Sequence, residues 1–360
     1  MSESNSHANR PRAACTDTHT PLTVILGVKA HGVYTQQLKL AANAVRWARR
    51  AARARRRRTG DTSSWKMPNS IMVVTPLTNG RGEAYGNEYR QLACGPVVAA
   101  SHVNAAIHSV VPTLSSLVGG GSTVATLMYD SAEEPATSVK AYRDGLSRGA
   151  RALVGPSYSS IAAYLALLGG IDQVPVCSYW ASSPSLSSRV DFPYFGRTYP
   201  SDKEATKALP EMINALGWKS VAVIHTNNDY SIQYAEGLHG NAPVFGVNVI
   251  ATWEFQSGNQ HSISVAVKNI RDSGANIFVA ICSSDSDLST IFYEAEEQGI
   301  VGENFAWLTT DSVSAEAAIE AAPDRARTCR LMDRTINVRV ATARTVSSAP
   351  RVRVVGIGLG

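Results

Sequence analysis

From Ser70 to Asp311 the chain alternates short apolar runs of strand length with segments whose apolar residues fall at helical spacing, and few folds accommodate that rhythm. SIMVVTPLT, STVATLMYDS, Ala150 to Val154 and Val174 to Ser178 read as four strands, the first of them buried. Between them lie helical segments: EYRQLACGPVVAASHVNAAI, which Pro96 is expected to kink, then Pro135 to Gly149 and Ser160 to Gly169. The runs are apolar almost throughout, as strands covered on both faces are. Short loops between them imply right-handed βαβ units and a parallel sheet. After Asp202 the rhythm restarts with a helix from Glu204 to Leu216, then WKSVAVIHT, a helix through Ile232 to Leu238, and VNVIATWEF. It continues through a helix from Ser262 to Ser273, NIFVAIC, a helix from Asp287 to Gln298, and FAWLTTD. The expected class is α/β, with two lobes, each a parallel sheet flanked by helices, and a crossing between them at about Ser188 to Pro200. The expected divisions are a basic leader outside any domain (1–66), a first lobe (67–190), a second lobe (191–312) and an irregular basic tail (313–360).

At 360 residues and 44% hydrophobic, the chain can bury two such cores. Its net charge of +5 is unevenly spread. Residues 1–66 carry 13 Lys/Arg against 3 Asp/Glu and residues 323–360 carry 8 against 2, which leaves −11 on residues 67–322. An acidic body argues against nucleic acid as its partner, whereas the arginine block from Ala48 to Arg58 could contact polyanions or be a solvated tail. No apolar run approaches the roughly 20 residues that span a bilayer. PLTVILGV (21–28) has no small-residue cleavage site close behind it, so neither a membrane span nor a signal peptide is assigned. Five cysteines without CxxC spacing indicate neither a zinc site nor a disulfide framework, and Cys177 and Cys282 read as strand residues. The eight histidines form no HExxH motif and no GxSxG elbow occurs, so no catalytic residue, metal or cofactor is assigned.

Two of the apolar runs end in clusters of small hydroxyl residues. Ala152 to Val154 leads into GPSYSS, and Val174 to Cys177 leads into SYWASSPS. Parallel strands deliver their C-terminal ends to ligands, and hydroxyls with free amides at a helix start favour an anion. Ser157, Ser159, Ser182 and Ser183 could therefore hold a carboxylate, or could simply cap helices.

The run SYWASSPSLSSRVDFPYFGRTYPSD resembles the signature of the receptor ligand-binding branch of the type I periplasmic-binding-protein superfamily. Its features are Leu186 and Ser187 after the serine-rich turn, Phe192 and Pro193, then Arg197, Thr198, Pro200, Ser201 and Asp202. That branch includes the extracellular domains of metabotropic glutamate, GABA-B and natriuretic peptide receptors, and its bacterial relatives bind branched-chain amino acids. The resemblance implies a type I periplasmic-binding-protein-like fold that closes on a small molecule, an amino acid or analogue, between its lobes. Ser157 and the Ala181-Ser182-Ser183 turn would take the ligand's carboxylate, and Tyr230 would cover the ligand from the second lobe. Asp202 and Asp311 sit where amino-acid-binding members place carboxylates near the ammonium group. Asp202 reads equally well as an N-cap of the helix behind it, and Trp180 could stack on the ligand or pack beneath the crossing.

The resemblance also implies a homo- or heterodimer formed through the first lobe. It makes the chain the ectodomain of a membrane signalling receptor, attached to the membrane only through segments downstream. An amino-acid-binding component of an ABC-type transporter would share fold and cleft. From about Pro323 the sequence leaves the family pattern, so the C-terminal part of the first lobe is expected to be missing, and the tail reads as the end of an incomplete gene product.

Overall fold

The computed structural model describes residues 22–30, 70–78, 87–105, 107, 123–333, 335–342 and 353–354. The first lobe begins with β2 (Ser70–Thr75), whose residues from Ile71 onward are all buried, followed by α1 (Asn87–Asn104), which carries Pro96 within it. β3 (Ala125–Asp130), α2 (Pro135–Ser147), β4 (Leu153–Val154), α3 (Ser159–Asp172), β5 (Val176–Ser178) and β6 (Phe195–Arg197) follow. The five strands form one parallel sheet in the order β3-β2-β4-β5-β6. β6 lies within the expected crossing between lobes and pairs with β5, so the first sheet takes in Arg197.

The second lobe runs through α4 (Asp202–Ala215), β7 (Ser220–Thr226), α5 (Asp229–Asn241), β8 (Asn248–Phe255), α6 (Gln260–Asp272) and β9 (Ile277–Ile281). It continues as α7 (Asp285–Glu297), β10 (Ala306–Thr309), α8 (Ala315–Ala321), α9 (Arg325–Met332) and β11 (Thr335–Thr342). Its sheet has the order β12-β1-β11-β10-β9-β7-β8, where β1 is Leu22–Ala30 and β12 is Arg353–Val354. All of its pairings are parallel except that of β1 with β12.

Two expectations are corrected here. The segment assigned to an irregular tail holds α8, α9 and β11, and the segment assigned to a leader outside any domain supplies β1, which pairs with β11. The physical reason lies in β11, where Ile336 and Val338 pack in one core cluster while Asn337 on the other face is buried and hydrogen-bonded. The Asn337 amide donates to Thr309 Oγ1 at 2.8 Å, Thr310 O at 3.2 Å and Val313 O at 2.9 Å, fixing the loop after β10. Cys94, Cys177 and Cys282 are free, but Cys329 is disulfide-bonded, against the expectation that no disulfide was indicated.

The strand order sets where a ligand can sit. In the first sheet, successive connections run outward in opposite directions from β2 and β4, and in the second sheet from β7 and β9. A crevice opens beyond the carboxyl ends of the strands at such a reversal. Gly155 ends β4 at a φ of +108°, and a Cβ there would lie 2.0 Å from Val74 O, so only glycine lets β4 turn off this close to β2.

Candidate functional site

The two reversals face one cleft of about 540 Å³, counting the part open to solvent. From the first lobe it is lined by Ser157, Tyr158, Ser159, Ser160, Trp180 and Ser182. Tyr199, Asn228, Tyr230, Ser283, Asp311 and Ser312 line the other side. Every one of these follows the carboxyl end of a strand or opens the next helix, Tyr199 coming just after β6.

On the first wall, Ser157 Oγ shares a 3.0 Å hydrogen bond with Tyr179 OH, which in turn meets Thr75 Oγ1 at 2.6 Å. A relay of three hydroxyls thus ties the ends of β2, β4 and β5 together. Helix α3 starts at the cleft with Tyr158 in the N-cap position, and that residue makes no side-chain cap. Its first amides and the positive end of its dipole face the gap without a capping side chain. Tyr158 OH instead donates to Glu133.

The serine-rich turn differs from expectation. Ser159 Oγ accepts from the amides of Ser182 at 3.2 Å and Ser183 at 3.1 Å, so these amides serve the protein's own hydroxyl. Ser183 is fully buried, its Oγ bonded to Ser185 Oγ at 2.8 Å, and Ala181 is buried with its amide on Ser178 Oγ at 2.8 Å. Neither Ala181 nor Ser183 lines the cleft, because the turn needs them to close on itself. Arg197 clamps that turn from behind, donating to Ser183 O at 2.6 Å, Ala181 O at 3.3 Å and Ser187 Oγ at 2.5 Å.

The second wall is acidic and aromatic. Asp311 accepts from Tyr199 OH, and Tyr230 OH donates to Thr310 Oγ1 at 2.9 Å. Asn228 caps α5 by accepting from Ser231 N at 2.9 Å, and its amide donates to Ser283 Oγ at 3.0 Å, joining the loops after β7 and β9. Asp202 is 2% exposed, and its Oδ2 has no hydrogen-bond partner among the described residues. The N-cap of α4 is Ser201, whose side chain accepts from Lys203 N; Asp202 is the first helical residue behind it. Burial first, then the facing Asp311 charge, pushes the Asp202 carboxyl well above the usual carboxylate range, only partly offset by Ser182 and Arg197. Burial and the same two carboxylates raise Tyr199, Tyr230 and Tyr234. One wall therefore carries hydroxyls and an open helix start, while the other concentrates negative charge. Among the described residues, no group of three His, Cys, Asp or Glu is placed to hold a metal ion.

Of the eight residues named from the sequence, Ser157, Ser159, Ser182, Tyr230 and Asp311 line the cleft and Asp202 lies behind it. Tyr158, Ser160, Tyr199, Asn228, Ser283 and Ser312 were missed. Tyr199 sits in the crossing segment just before Asp202, and only the fold brings it against Asp311, 112 residues later.

Residues 114–348, well over half of the chain, match the family model described as the receptor family ligand binding region. The chain belongs to this family. Within the receptor ligand-binding family it is 28% identical over 165 residues to metabotropic glutamate receptor-like protein E of Dictyostelium discoideum, covering 44% of this chain and 20% of that protein. It is 28% identical over 161 residues to glutamate receptor 3.1 of Oryza sativa subsp. japonica, covering 44% and 17%. With human taste receptor type 1 member 1 it shares 27% identity over 148 residues, covering 40% and 17%. The match thus spans about a fifth of the length of these relatives. No described helix is long and apolar enough to cross a membrane.

Proposed function

We propose that this chain is the ligand-binding domain of a membrane signalling receptor, displayed on the extracellular side, and that it takes an amino acid or close analogue in the cleft. The observation that carries this reading is the opposed chemistry of the two walls. A zwitterion leaves water at low cost only where both charged ends find partners. The open start of α3 with Ser157 and Ser160 suits a carboxylate, and Asp311 with Asp202 behind it suits an ammonium group, screened by Tyr199 and Tyr230. Neighbours in sequence bear glutamate and taste receptor names, which agrees with a small polar ligand. The ligand favours a closed arrangement through its higher affinity for it. Two copies pair through the first lobe, where Tyr164, Leu167 and Ile171 on α3 are exposed at 53%, 47% and 77%.

Calorimetric titration of the purified chain with each standard amino acid tests this reading. At least one should bind, and Asp311→Asn should weaken it by about 2–4 kcal/mol through loss of a buried ion pair partner. Heat changes absent for every amino acid, or an Asp311→Asn protein that binds as well as the parent, would remove the assignment.

A further inference from the structure

We infer that the second lobe holds a separate binding site for a small neutral aromatic molecule carrying one hydrogen-bonding group. A cavity of about 520 Å³, including its mouth, lies between α7, α9 and the first residues of β10 and β11. It shares no lining residue with the interlobe cleft and sits at the other end of β10, with Trp307 near the start of that strand and Asp311 beyond its finish. This inference does not depend on what the cleft binds.

Three observations give the ligand's chemistry. Phe292, Phe305 and Trp307 line the cavity, and the Phe292 and Trp307 rings stand 5.2 Å apart at 49°, an arrangement that accepts a further ring edge-on or offset. Thr335, paired in register with Trp307 and 1% exposed, lines the same space, and its Oγ1 has no hydrogen-bond partner among the described residues. A buried hydroxyl left without a partner costs free energy that a ligand's polar atom would recover. Finally, exposed Arg330 and half-buried Asp333 line the same cavity with opposite charges, so the lining favours neither an anion nor a cation. A ring of phenol or indole size, with its polar atom at Thr335, meets all three conditions.

The test uses p-cresol and toluene, which differ by one hydroxyl, titrated into the full chain by ligand-observed NMR. Saturable p-cresol binding is expected, tighter than that of toluene. Thr335→Val should weaken p-cresol about two- to tenfold and leave toluene unchanged, the range for one hydrogen bond. Leu331→Trp and, independently, Val301→Trp fill the cavity and should abolish both, with melting curves showing that each variant folds. No saturable binding of either probe would overturn the inference. So would p-cresol binding that survives both filling substitutions, or Thr335→Val affecting the two probes equally.

Discussion

Asp202 and Asp287 are both buried carboxylates, yet only one is fully served. Asp287 accepts from Ser257 Oγ at 2.6 Å and Gly258 N at 2.9 Å, whereas Asp202 Oδ2 has no hydrogen-bond partner among the described residues and its carboxyl feels the Asp311 charge. A carboxyl whose folded pKa lies above its unfolded value binds its proton more tightly when folded. Its contribution is therefore favourable at low pH and turns unfavourable as pH rises from the ordinary 3.8 through the raised value. Asp202→Asn should stabilise the unliganded chain by about 1–3 kcal/mol at pH 8 and by much less at pH 4, as read from urea midpoints at the two pH values. If the substitution destabilises equally at both, Asp202 is not the strained group described. At the same scale, Ser157→Ala should weaken an amino-acid ligand by about 1–2 kcal/mol, whereas Ser183→Ala, buried and turned away, should change affinity little.

Among elements, one side chain, Asn228, links the loops after β7 and β9. Asn228 both caps α5 and donates to Ser283 Oγ, so Asn228→Ala should cost about 1–2 kcal/mol and loosen the second wall. Faster amide exchange at Ser231 and Ser283 would report this, and unchanged exchange would contradict it. Most strands of the two lobes were legible in the sequence, the central ones because parallel strands covered on two faces leave continuous apolar runs such as VAVIHT and IFVAIC, whereas the short β6 was read as part of the crossing. β11 was not legible as a strand, although Ile336, Val338 and Val340 alternate with Asn337 and Arg339, because its surroundings are rich in arginine. β1 was hidden for a different reason: its partner lies more than 300 residues away, Leu22 against Ile336, and no local pattern reports a pairing that distant. The cleft serines could be found from composition, but which of them face the gap could not. Ser159 and Ser183 are the same residue type at similar positions, and only tertiary hydrogen bonds separate an amide acceptor from a turn staple.

At the scale of the whole molecule, several polar contacts among the described residues bridge the lobes near the cleft, including the Asp202 amide, which donates to Ser182 O at 3.0 Å. Ser185 donates to both oxygens of Asp229 at 3.3 Å, and Tyr199, in the crossing segment, donates to Asp311. The long Ser185–Asp229 bonds contribute little each, so a ligand touching both walls can shift how the lobes sit. Saturating ligand should reduce the radius of gyration in X-ray scattering, and Ser185→Ala should enlarge it in the absence of ligand. A radius indifferent to both would rule out closure.

Strand β10 begins beside Trp307 and ends just before Asp311, so one short rod touches both cavities. Thermodynamic reciprocity then binds the two sites: whatever factor a guest at the aromatic end imposes on affinity at the acidic end must be returned unchanged in the opposite direction.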